Sequence, residues 1–397
     1  MPWKETSPVK ERMRFILDYE SGLFEMKELA EHFGVSRKTA YKWLGRWREE
    51  GAGGLEGRAP VAETVANRTA EELEKWFVEQ RERHWTWGPK KLLKVLSEER
   101  PDGPHPCRST VCAILKRHGL VRGPRRRRRE GHPGRPTGDV SEPNAVWGAD
   151  FKGQFRTRDG CYCYPFTVTD LHSRYLLACD GGLSPTTALV RTSLERLFRE
   201  NGLPEAIRTD NGAPFASTGI GRLTQLGAWL IRYGIQRQLI QPGKPSQNGR
   251  HERMHKTLKE EATLPPSANL RKQQERFDSF RREFNEIRPH EALGQSRPAE
   301  LYRPSPRLFP ETEPKPEYPA HYEVRRVSRN GGIRWKGEWL NVGHSLIEEN
   351  VGMEEIDTGV WSVFYYRQLI GRFDERNLEL FGTMGTHARC GKRGNRS

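Results

Sequence analysis

The apolar positions near the start of the chain follow a helical period with one sharp interruption. An amphipathic segment from Met26 to Phe33 is interrupted by Gly34-Val35, and Ser36 then offers a side-chain oxygen to cap a helix that reaches Trp47. Two helices joined by a short turn that contains glycine are typical of a helix-turn-helix. We therefore predict a helix-turn-helix domain over residues 8–52.

The second of these helices has two chemically different faces. Ala40, Trp43 and Leu44 fall at core spacing. The outward positions carry Arg37, Lys38, Tyr41 and Lys42. Because the second helix of a helix-turn-helix meets phosphates and base edges in the major groove, these outward residues are candidate DNA contacts. An ordinary helical hairpin with a solvated charged face is the alternative.

A second helical region follows a polar gap. Amphipathic segments at 70–83, 90–97 and 109–118 predict a second helical, helix-turn-helix-like DNA-binding domain over residues 68–120. The tryptophans of Trp85-Thr86-Trp87 could stack on bases, but the leucines that follow favour a place for them in the core of this domain.

Residues 121–140 form a predicted linker, because Gly, Pro and charged residues dominate them and can bury little apolar surface. Consecutive arginines occupy its centre: Arg125, Arg126, Arg127, Arg128 and Arg129. In the whole chain Lys and Arg outnumber Asp and Glu by 67 to 52, and the net charge of +15 suits a polyanion such as nucleic acid. The arginine run is a candidate phosphate-binding arm, with a solvated tether as the alternative.

After the linker the pattern changes to that of an α/β domain. Segments rich in β-forming residues at 145–155, 161–170 and 174–180 predict consecutive antiparallel strands. Helical and β segments then alternate, at 187–200, 205–210, 235–240 and 246–261. We predict a core of mixed α/β structure over residues 141–305.

Short β segments return toward the C-terminus, at 322–327, 332–335, 338–342 and 361–366. Several short strands in succession predict a small β-barrel domain over residues 318–380. Trp335 and Trp339 in this region either belong to its core or contact DNA or a neighbouring subunit, and both interpretations stay open at this point.

Acidic residues stand at positions from which their side chains can converge. Asp150 lies in the first predicted strand of the α/β region, Asp210 at the end of the fourth, and Glu252 in the long helix. Carboxylates buried near one another stay ionised only if a cation holds them. Oxygen ligands of this kind suit Mg²⁺ or Mn²⁺, and a pair of such ions supports phosphoryl transfer. Taken singly, Asp210 has a plainer explanation as a turn residue and Glu252 as half of a surface ion pair.

Glu252 shares its helix face with further polar residues. By helical spacing these are His255, Lys256 and Lys259. We regard them as candidate contacts to a DNA backbone beside the metal ligand.

Several short motifs follow one another through the α/β region. In chain order they are Val146-Trp147-Gly148-Ala149-Asp150-Phe151, Thr169-Asp170-Leu171-His172-Ser173-Arg174-Tyr175, Thr209-Asp210-Asn211-Gly212, Gln247-Asn248-Gly249-Arg250-His251-Glu252-Arg253 and Arg288-Pro289-His290-Glu291-Ala292-Leu293-Gly294. Together they look like the integrase core of bacterial insertion-sequence transposases. The helix-turn-helix and the segment Trp87-Gly88-Pro89-Lys90-Lys91-Leu92 are similar to the DNA-binding front of the same transposases.

The resemblance implies a ribonuclease-H-like core in which Asp150, Asp210 and Glu252 are the catalytic residues and bind Mg²⁺ or Mn²⁺, with two ions expected. It implies a polynucleotidyl transferase that cleaves the ends of an element and joins the freed 3′-OH to target DNA. Double-stranded DNA and further copies of this chain in a homo-oligomer are the implied partners. It also implies that Asp170 organises a turn and is not a metal ligand.

The spacing of the last two acids departs from the family pattern. Between Asp210 and Glu252 lie 41 residues, more than is usual in the family. We assign the surplus to residues 217–229, and the resemblance does not say what this insertion does.

Two further observations bear on where in the cell the protein is expected. No apolar run is long enough for a membrane helix and the N-terminus lacks the apolar segment of a signal peptide, so we expect a cytoplasmic, nucleoid-associated bacterial protein.

The alternative functions are a DNA-binding regulator with a catalytically silent integrase-like core and a nuclease that cuts without joining. The presence of all the acids argues against the silent core.

Overall fold

The structure is a computed structural model that describes residues 7–57, 69–121, 140–241 and 249–382. It divides the chain into two compact units, residues 1–69 and 70–397. The predicted arm with its arginine run at 125–129 lies outside the described residues. Within the described ranges, no helix has the length and the apolar character needed to cross a membrane.

The first unit contains the predicted helix-turn-helix. Its helices are α1 (Pro8–Glu20), α2 (Met26–His32) and α3 (Arg37–Glu50). Gly34 has a φ of 63° in the turn before α3, a conformation that glycine adopts without strain. The Ser36 hydroxyl caps α3, as predicted. Ala40 and Leu44 of α3 are buried in the core of the unit.

The second unit begins with a group of helices that match the predicted second helical region. They are α4 (Glu71–Arg83), α5 (Pro89–Glu99) and α6 (Arg108–Arg117). Trp87 is 1% exposed and stacks on His84 with ring centroids 3.9 Å apart. The prediction that this tryptophan belongs to the core is therefore confirmed.

A mixed β-sheet forms the centre of the second unit. Its strands are β1 (Val146–Phe151), β2 (Phe155–Arg156), β3 (Tyr162–Asp170), β4 (Leu176–Gly182), β5 (Ala206–Thr209) and β6 (Gln236–Leu239). Strands β4, β3, β1, β5 and β6 lie side by side in this order, and the short β2 pairs with β3. Neighbours are antiparallel from β4 to β1 and parallel from β1 to β6, which confirms the predicted mixed sheet.

Helices cover both faces of this sheet. They are α7 (Thr187–Asn201), α8 (Gln225–Arg232), α9 (Gly249–Leu258), α10 (Leu270–Arg282) and α11 (Pro298–Leu301). One core packs α7 and α8 on the sheet and contains Trp147 and Trp229. The other contains Met254 of α9 and Phe277 of α10. A π-helical turn, Lys259–Thr263, extends α9.

The C-terminal region is β-structure, but it does not form the predicted barrel. Its strands are β7 (Glu323–Arg326), β8 (Gly332–Trp335), β9 (Glu338–Asn341), β10 (Asn350–Asp357), β11 (Val360–Tyr365), β12 (Gln368–Asp374) and β13 (Leu380–Gly382). Strands β13, β12, β11, β10 and β7 form an open sheet, and β8 and β9 form a separate hairpin. Because β7 and β13 lie at opposite edges and do not pair in the described part of the chain, the sheet does not close, and the barrel is not confirmed.

The tryptophans of the hairpin have different surroundings. Trp335 is buried and contacts the ring of Trp361 on β11, with centroids 4.6 Å apart. Trp339 is 41% exposed. Trp335 is therefore a core residue, whereas Trp339 remains available for contact with another molecule.

The surplus residues between Asp210 and Glu252 join the sheet to the C-terminal region. The assigned segment at 217–229 contains a short 3₁₀ turn and the start of α8. Ile220, Leu223 and Ala228 share one apolar cluster with residues of the C-terminal strands. The insertion thus supplies the surface on which the C-terminal region packs.

Candidate active site

Strand β1 presents alternate residues to the two faces of the sheet. Trp147 enters the core beneath α7 and α8, whereas Gly148 and Asp150 face α9. Burial, followed by the negative charges of Asp210 and Glu252, raises the pKa of the Asp150 carboxyl to about 7. Each of these acids is therefore close enough to influence the ionisation of Asp150.

Asp210 follows the end of β5 in a turn that its neighbours hold in place. The Gly212 backbone N–H donates to Asp210 Oδ1 at 3.1 Å. Asn211 Nδ2 donates to the Ile240 carbonyl at 2.7 Å, just beyond β6. Arg222 donates to Asn211 Oδ1 at 2.8 Å, which ties the turn to the inserted segment.

Glu252 lies in the first turns of α9, beside a buried stripe of the same helix. His251, Met254, His255 and Leu258 form this stripe and pack toward the sheet. Glu252 itself is exposed at the edge of the stripe. The helix thus turns two imidazoles inward and leaves the Glu252 carboxylate at the surface.

A single hydroxyl connects the two inward histidines with β1. Thr167 lies directly opposite Asp150 in the register of β1 and β3, and its Oγ1 donates to the Asp150 carbonyl at 3.0 Å. The same Oγ1 lies 2.7 Å from Nε2 of both His251 and His255. Burial lowers the pKa of His251 to about 3 and that of His255 to about 2, so both rings are neutral near pH 7.

Gly148 allows α9 to approach β1 closely. A Cβ atom at this position would lie 2.9 Å from Leu171 Cδ2 and 3.1 Å from His251 Nδ1. Both distances are shorter than ordinary van der Waals contacts, so a larger residue would force the helix or the strand to move. The glycine of the first motif therefore has a packing role next to Asp150.

Sequence analysis missed the inward histidines as a pair. Among the described residues, Asp150, His251 and His255 form a group whose potential ligand atoms lie within 4.8 Å of one another. The signal was present in His251-Glu252-Arg253-Met254-His255, because histidines four residues apart on a helix share one face and a glutamate follows the first. A divalent ion at Asp150 could therefore meet nitrogen as well as oxygen donors.

The candidate DNA contacts of the sequence analysis have different surroundings. On α3 and on α9 with its extension, most of them are exposed: Arg37, Lys38, Tyr41, Lys42, Lys256 and Lys259. His255 is only 6% exposed and faces Thr167, so its burial does not support the expected contact with a DNA backbone. Lys152, which the sequence analysis did not select, brings a positive charge close to Asp150 and His255.

Asp170 has the turn-forming role that the resemblance implied. Its Oδ2 accepts hydrogen bonds from the Ser173 backbone N–H at 2.7 Å and from the Ser173 hydroxyl at 2.6 Å. Its Oδ1 accepts from the Asn144 backbone N–H at 2.8 Å. The carboxylate is fully buried and committed to these donors, so the prediction that it organises this turn is confirmed.

Hydrogen-bonded pairs of titratable side chains attach the second helical region to the sheet domain. They link His84 with Glu283, Lys90 with Glu291, and Arg297 with Glu98. Between them, Glu261 accepts hydrogen bonds from both Thr86 and Arg288. Burial and the charge of Arg288 lower the pKa of Lys91, in the same contact, to about 7. Sequence analysis did not predict that these two regions meet.

Comparison with known families agrees with this architecture. The chain matches models of the integrase core domain at residues 140–245 and 233–298. It matches a helix-turn-helix domain at 11–60 and a homeodomain-like domain at 39–115. Residues 322–379 match the C-terminal domain of the IS481 family transposases. The mixed sheet is therefore the ribonuclease-H-like core of an integrase-type protein.

Several known proteins are similar to this chain. An uncharacterized 39.2 kDa protein of insertion element IS476 from Xanthomonas euvesicatoria is 27% identical over 286 residues, which are 70% of this chain and 75% of that protein. An uncharacterized 31.7 kDa protein of insertion element IS407 from Burkholderia multivorans is 30% identical over 162 residues, 40% of this chain and 55% of that protein.

A solved structure of a simian T-cell lymphotropic virus intasome, in complex with a PP2A regulatory subunit, contains a chain that is 15% identical to this one. The match covers 74% of this chain and 97% of that chain, with a TM-score of 0.36, too low to define a common arrangement of domains. The chain thus contains helix-turn-helix domains, an integrase core and a C-terminal domain like that of the IS481 family transposases, and it is similar to proteins of bacterial insertion elements.

Proposed function

We propose that this protein is a divalent-metal-dependent polynucleotidyl transferase that binds the ends of an insertion element, cleaves them and joins them to target DNA. The observation that carries the proposal is the effect of Asp210 and Glu252 on Asp150. That charges far from Asp150 in the chain, one in a turn and one in a helix, help to raise its pKa supports a shared site for these acids.

The residues at this edge fit a divalent cation. A carboxyl whose pKa lies near 7 is only partly ionised at neutral pH, and a nearby divalent ion returns it to the ionised form. We assign Asp150, Asp210 and Glu252 as ligands of Mg²⁺ or Mn²⁺, with two ions expected. When bound, such ions activate a nucleophilic oxygen and stabilise the leaving oxygen of a phosphodiester.

The cations around the acids suit a DNA backbone. Lys256 and Lys259 are exposed on the side of α9 that carries Glu252, and Lys152 lies near Asp150. Ammonium groups at these positions neutralise phosphates and hold the scissile bond close to the acids. We propose that they orient the backbone, while Arg37, Lys38, Tyr41 and Lys42 bind the element ends.

The proposed partners follow from the reaction. Double-stranded DNA supplies both the element ends and the target, and a homo-oligomer is expected because two ends must be held together for joining. A DNA-binding regulator with a silent core is the less favoured alternative, since all the acids are present. A nuclease without joining activity would differ only in its products.

The proposal is tested with Asp210→Asn and Glu252→Gln in the full chain, with Asp278→Asn, an exposed acid of α10, as the matched control. End binding is followed by gel shift, and cleavage and strand-transfer products are followed in Mg²⁺. We expect the first two variants to bind DNA normally and to lose cleavage, and the control to retain both. Cleavage that persists in either site variant would show that the acids are assigned wrongly.

A further inference from the structure

The hydrogen bonds of Thr167 define the protonation of the two inward histidines. A hydroxyl has one proton to donate and two lone pairs that accept. We assign the Thr167 proton to the Asp150 carbonyl at 3.0 Å, and its two contacts of 2.7 Å with imidazole nitrogens are then bonds that it accepts. Nε2 of His251 and Nε2 of His255 therefore each carry a proton.

This assignment leaves the other nitrogen of each ring as an acceptor. A neutral imidazole carries one proton, so Nδ1 of each ring keeps an unprotonated lone pair. His251 Nδ1 lies toward Gly148 and has no hydrogen-bond partner among the described residues. His255 Nδ1 instead faces the side chain of Asp150, with 3.9 Å between Nδ1 and Oδ2.

The distance of 3.9 Å between the acceptors His255 Nδ1 and Asp150 Oδ2 bears on whether a cation can lie between them. It exceeds the length of a hydrogen bond, and two lone pairs facing each other repel. Ligand bonds of about 2.0–2.2 Å allow two donors of one ion to lie up to about 4.3 Å apart. The observed separation is thus compatible with a cation that both atoms contact.

His251 and His255 differ from the usual arrangement of two metal-binding histidines four residues apart on a helix. In a zinc site with this spacing, both histidines of the helix bind the metal. Here the Thr167 hydroxyl already contacts Nε2 of both rings, and Nδ1 of His255 lies 3.9 Å from Asp150 Oδ2.

We propose that His255 Nδ1 is an additional ligand, beside Asp150, of one divalent ion of this site, and that it favours Mn²⁺ over Mg²⁺. The inference rests on the proposed function and deepens it. Mg²⁺ prefers oxygen donors and an octahedral shell, whereas an imidazole nitrogen suits transition metals. The two inward histidines thus have different roles, since His251 only supports the hydroxyl that holds His255.

The direct test is pulsed electron paramagnetic resonance of Mn²⁺ added to the full-length protein. A directly bound imidazole nitrogen produces ¹⁴N modulation of the echo, which carboxylate and water ligands do not. We expect this modulation in the wild-type protein and its loss in His255→Gln, together with a drop of about tenfold or more in Mn²⁺ affinity. Mg²⁺ affinity should fall less. His344→Gln, an exposed histidine of the C-terminal region, is the control.

The possible results distinguish a failure of this inference about His255 from a failure of the proposed function. Mn²⁺ binding that is lost in Asp150→Asn but shows no ¹⁴N modulation in the wild type would overturn the role of His255 and leave the proposed function intact. An absence of Asp150-dependent Mn²⁺ binding would contradict both. Because the wild-type spectrum decides, the test does not depend on the folding of His255→Gln, which circular dichroism checks separately.

Discussion

The Arg288 guanidinium donates a hydrogen bond to the Glu261 carboxylate, and both side chains are largely buried. The Thr86 hydroxyl, which precedes α5, donates to the same carboxylate. Arg288 belongs to one of the motifs on which the family resemblance rests, and Thr86 directly precedes another. Residues in or next to these two motifs therefore attach the second helical region to the integrase core.

Arg288→Ala should destabilise the second unit strongly. The substitution leaves the Glu261 carboxylate buried without its cation, and breaking a buried pair in this way typically costs about 3–5 kcal/mol. Urea denaturation of the wild type and the variant measures the difference. Arg282→Ala, an exposed arginine at the end of α10, is the control and should change the free energy of unfolding by less than about 0.5 kcal/mol. Equal effects of the two substitutions would contradict this account of Arg288.

Lys91 should make the stability of the second unit depend on pH. Burial lowers its pKa from 10.5 to about 7 in the folded protein. Below pH 7 the ammonium is charged in both the folded and the unfolded state and its burial is unfavourable. As pH rises from 7 toward 10.5, the folded state loses the proton first, the unfolded state binds more protons, and stability increases.

The corresponding variant is Lys91→Met, which removes the buried charge. It should be more stable than the wild type at pH 6, and this advantage should shrink by pH 9.5. Thermal denaturation at the two pH values measures the difference, with Lys116→Met, an exposed lysine of α6, as the control. A stability difference that is the same at both pH values would exclude Lys91 as the titrating group.

Gly148→Ala should impair both folding and cleavage. The added Cβ would lie 2.9 Å from Leu171 and 3.1 Å from His251, so β1 or α9 must shift next to Asp150. Overpacking of this kind costs about 1–3 kcal/mol. Gly88→Ala is the matched control, because a Cβ at that position meets nothing within 4 Å. Cleavage and denaturation that are unchanged in Gly148→Ala would disprove the packing role of this glycine.

Arg37→Ala and Lys42→Ala should weaken binding to element ends without lowering stability. Each removes one exposed cation of α3, and each lost phosphate contact should reduce the slope of log affinity against log salt by about one. Gel shifts at several salt concentrations provide the measurement, with the exposed Glu49→Ala of the same helix as the control. We also expect a greater loss of end binding than Arg288→Ala produces. Equal losses would refute the assignment of α3 as the recognition helix.

The parts of the fold that depend on local signals could be predicted from the sequence. Ser36 caps α3 and Gly34 forms the turn before it, and both effects act within a few residues. The closure of a barrel depends instead on whether β7 pairs with β13, which no local pattern determines. The attachment of the second helical region likewise depends on pairs such as Lys90 with Glu291, which are far apart in the chain.

For the candidate site, local motifs select the acids but do not determine how α9 packs on the sheet. Asp150, Asp210 and Glu252 stand out because of their motifs and the elements that carry them. The helical face assigned to Glu252 and His255 in fact divides between solvent and core, because His255 belongs to the buried stripe of α9 whereas Glu252 is exposed beside it. Which of them turns inward is decided by contact with Thr167 on a distant strand.

The central claim is that Asp150, Asp210 and Glu252 jointly hold divalent ions at a DNA backbone. Anomalous diffraction at the manganese edge, from crystals of the full chain bound to an element end and soaked in Mn²⁺, tests it most directly. The account predicts anomalous peaks between these carboxylates and next to the scissile phosphate. An ordered DNA end with no peak among these acids, or with Mn²⁺ held only by other residues, would contradict it.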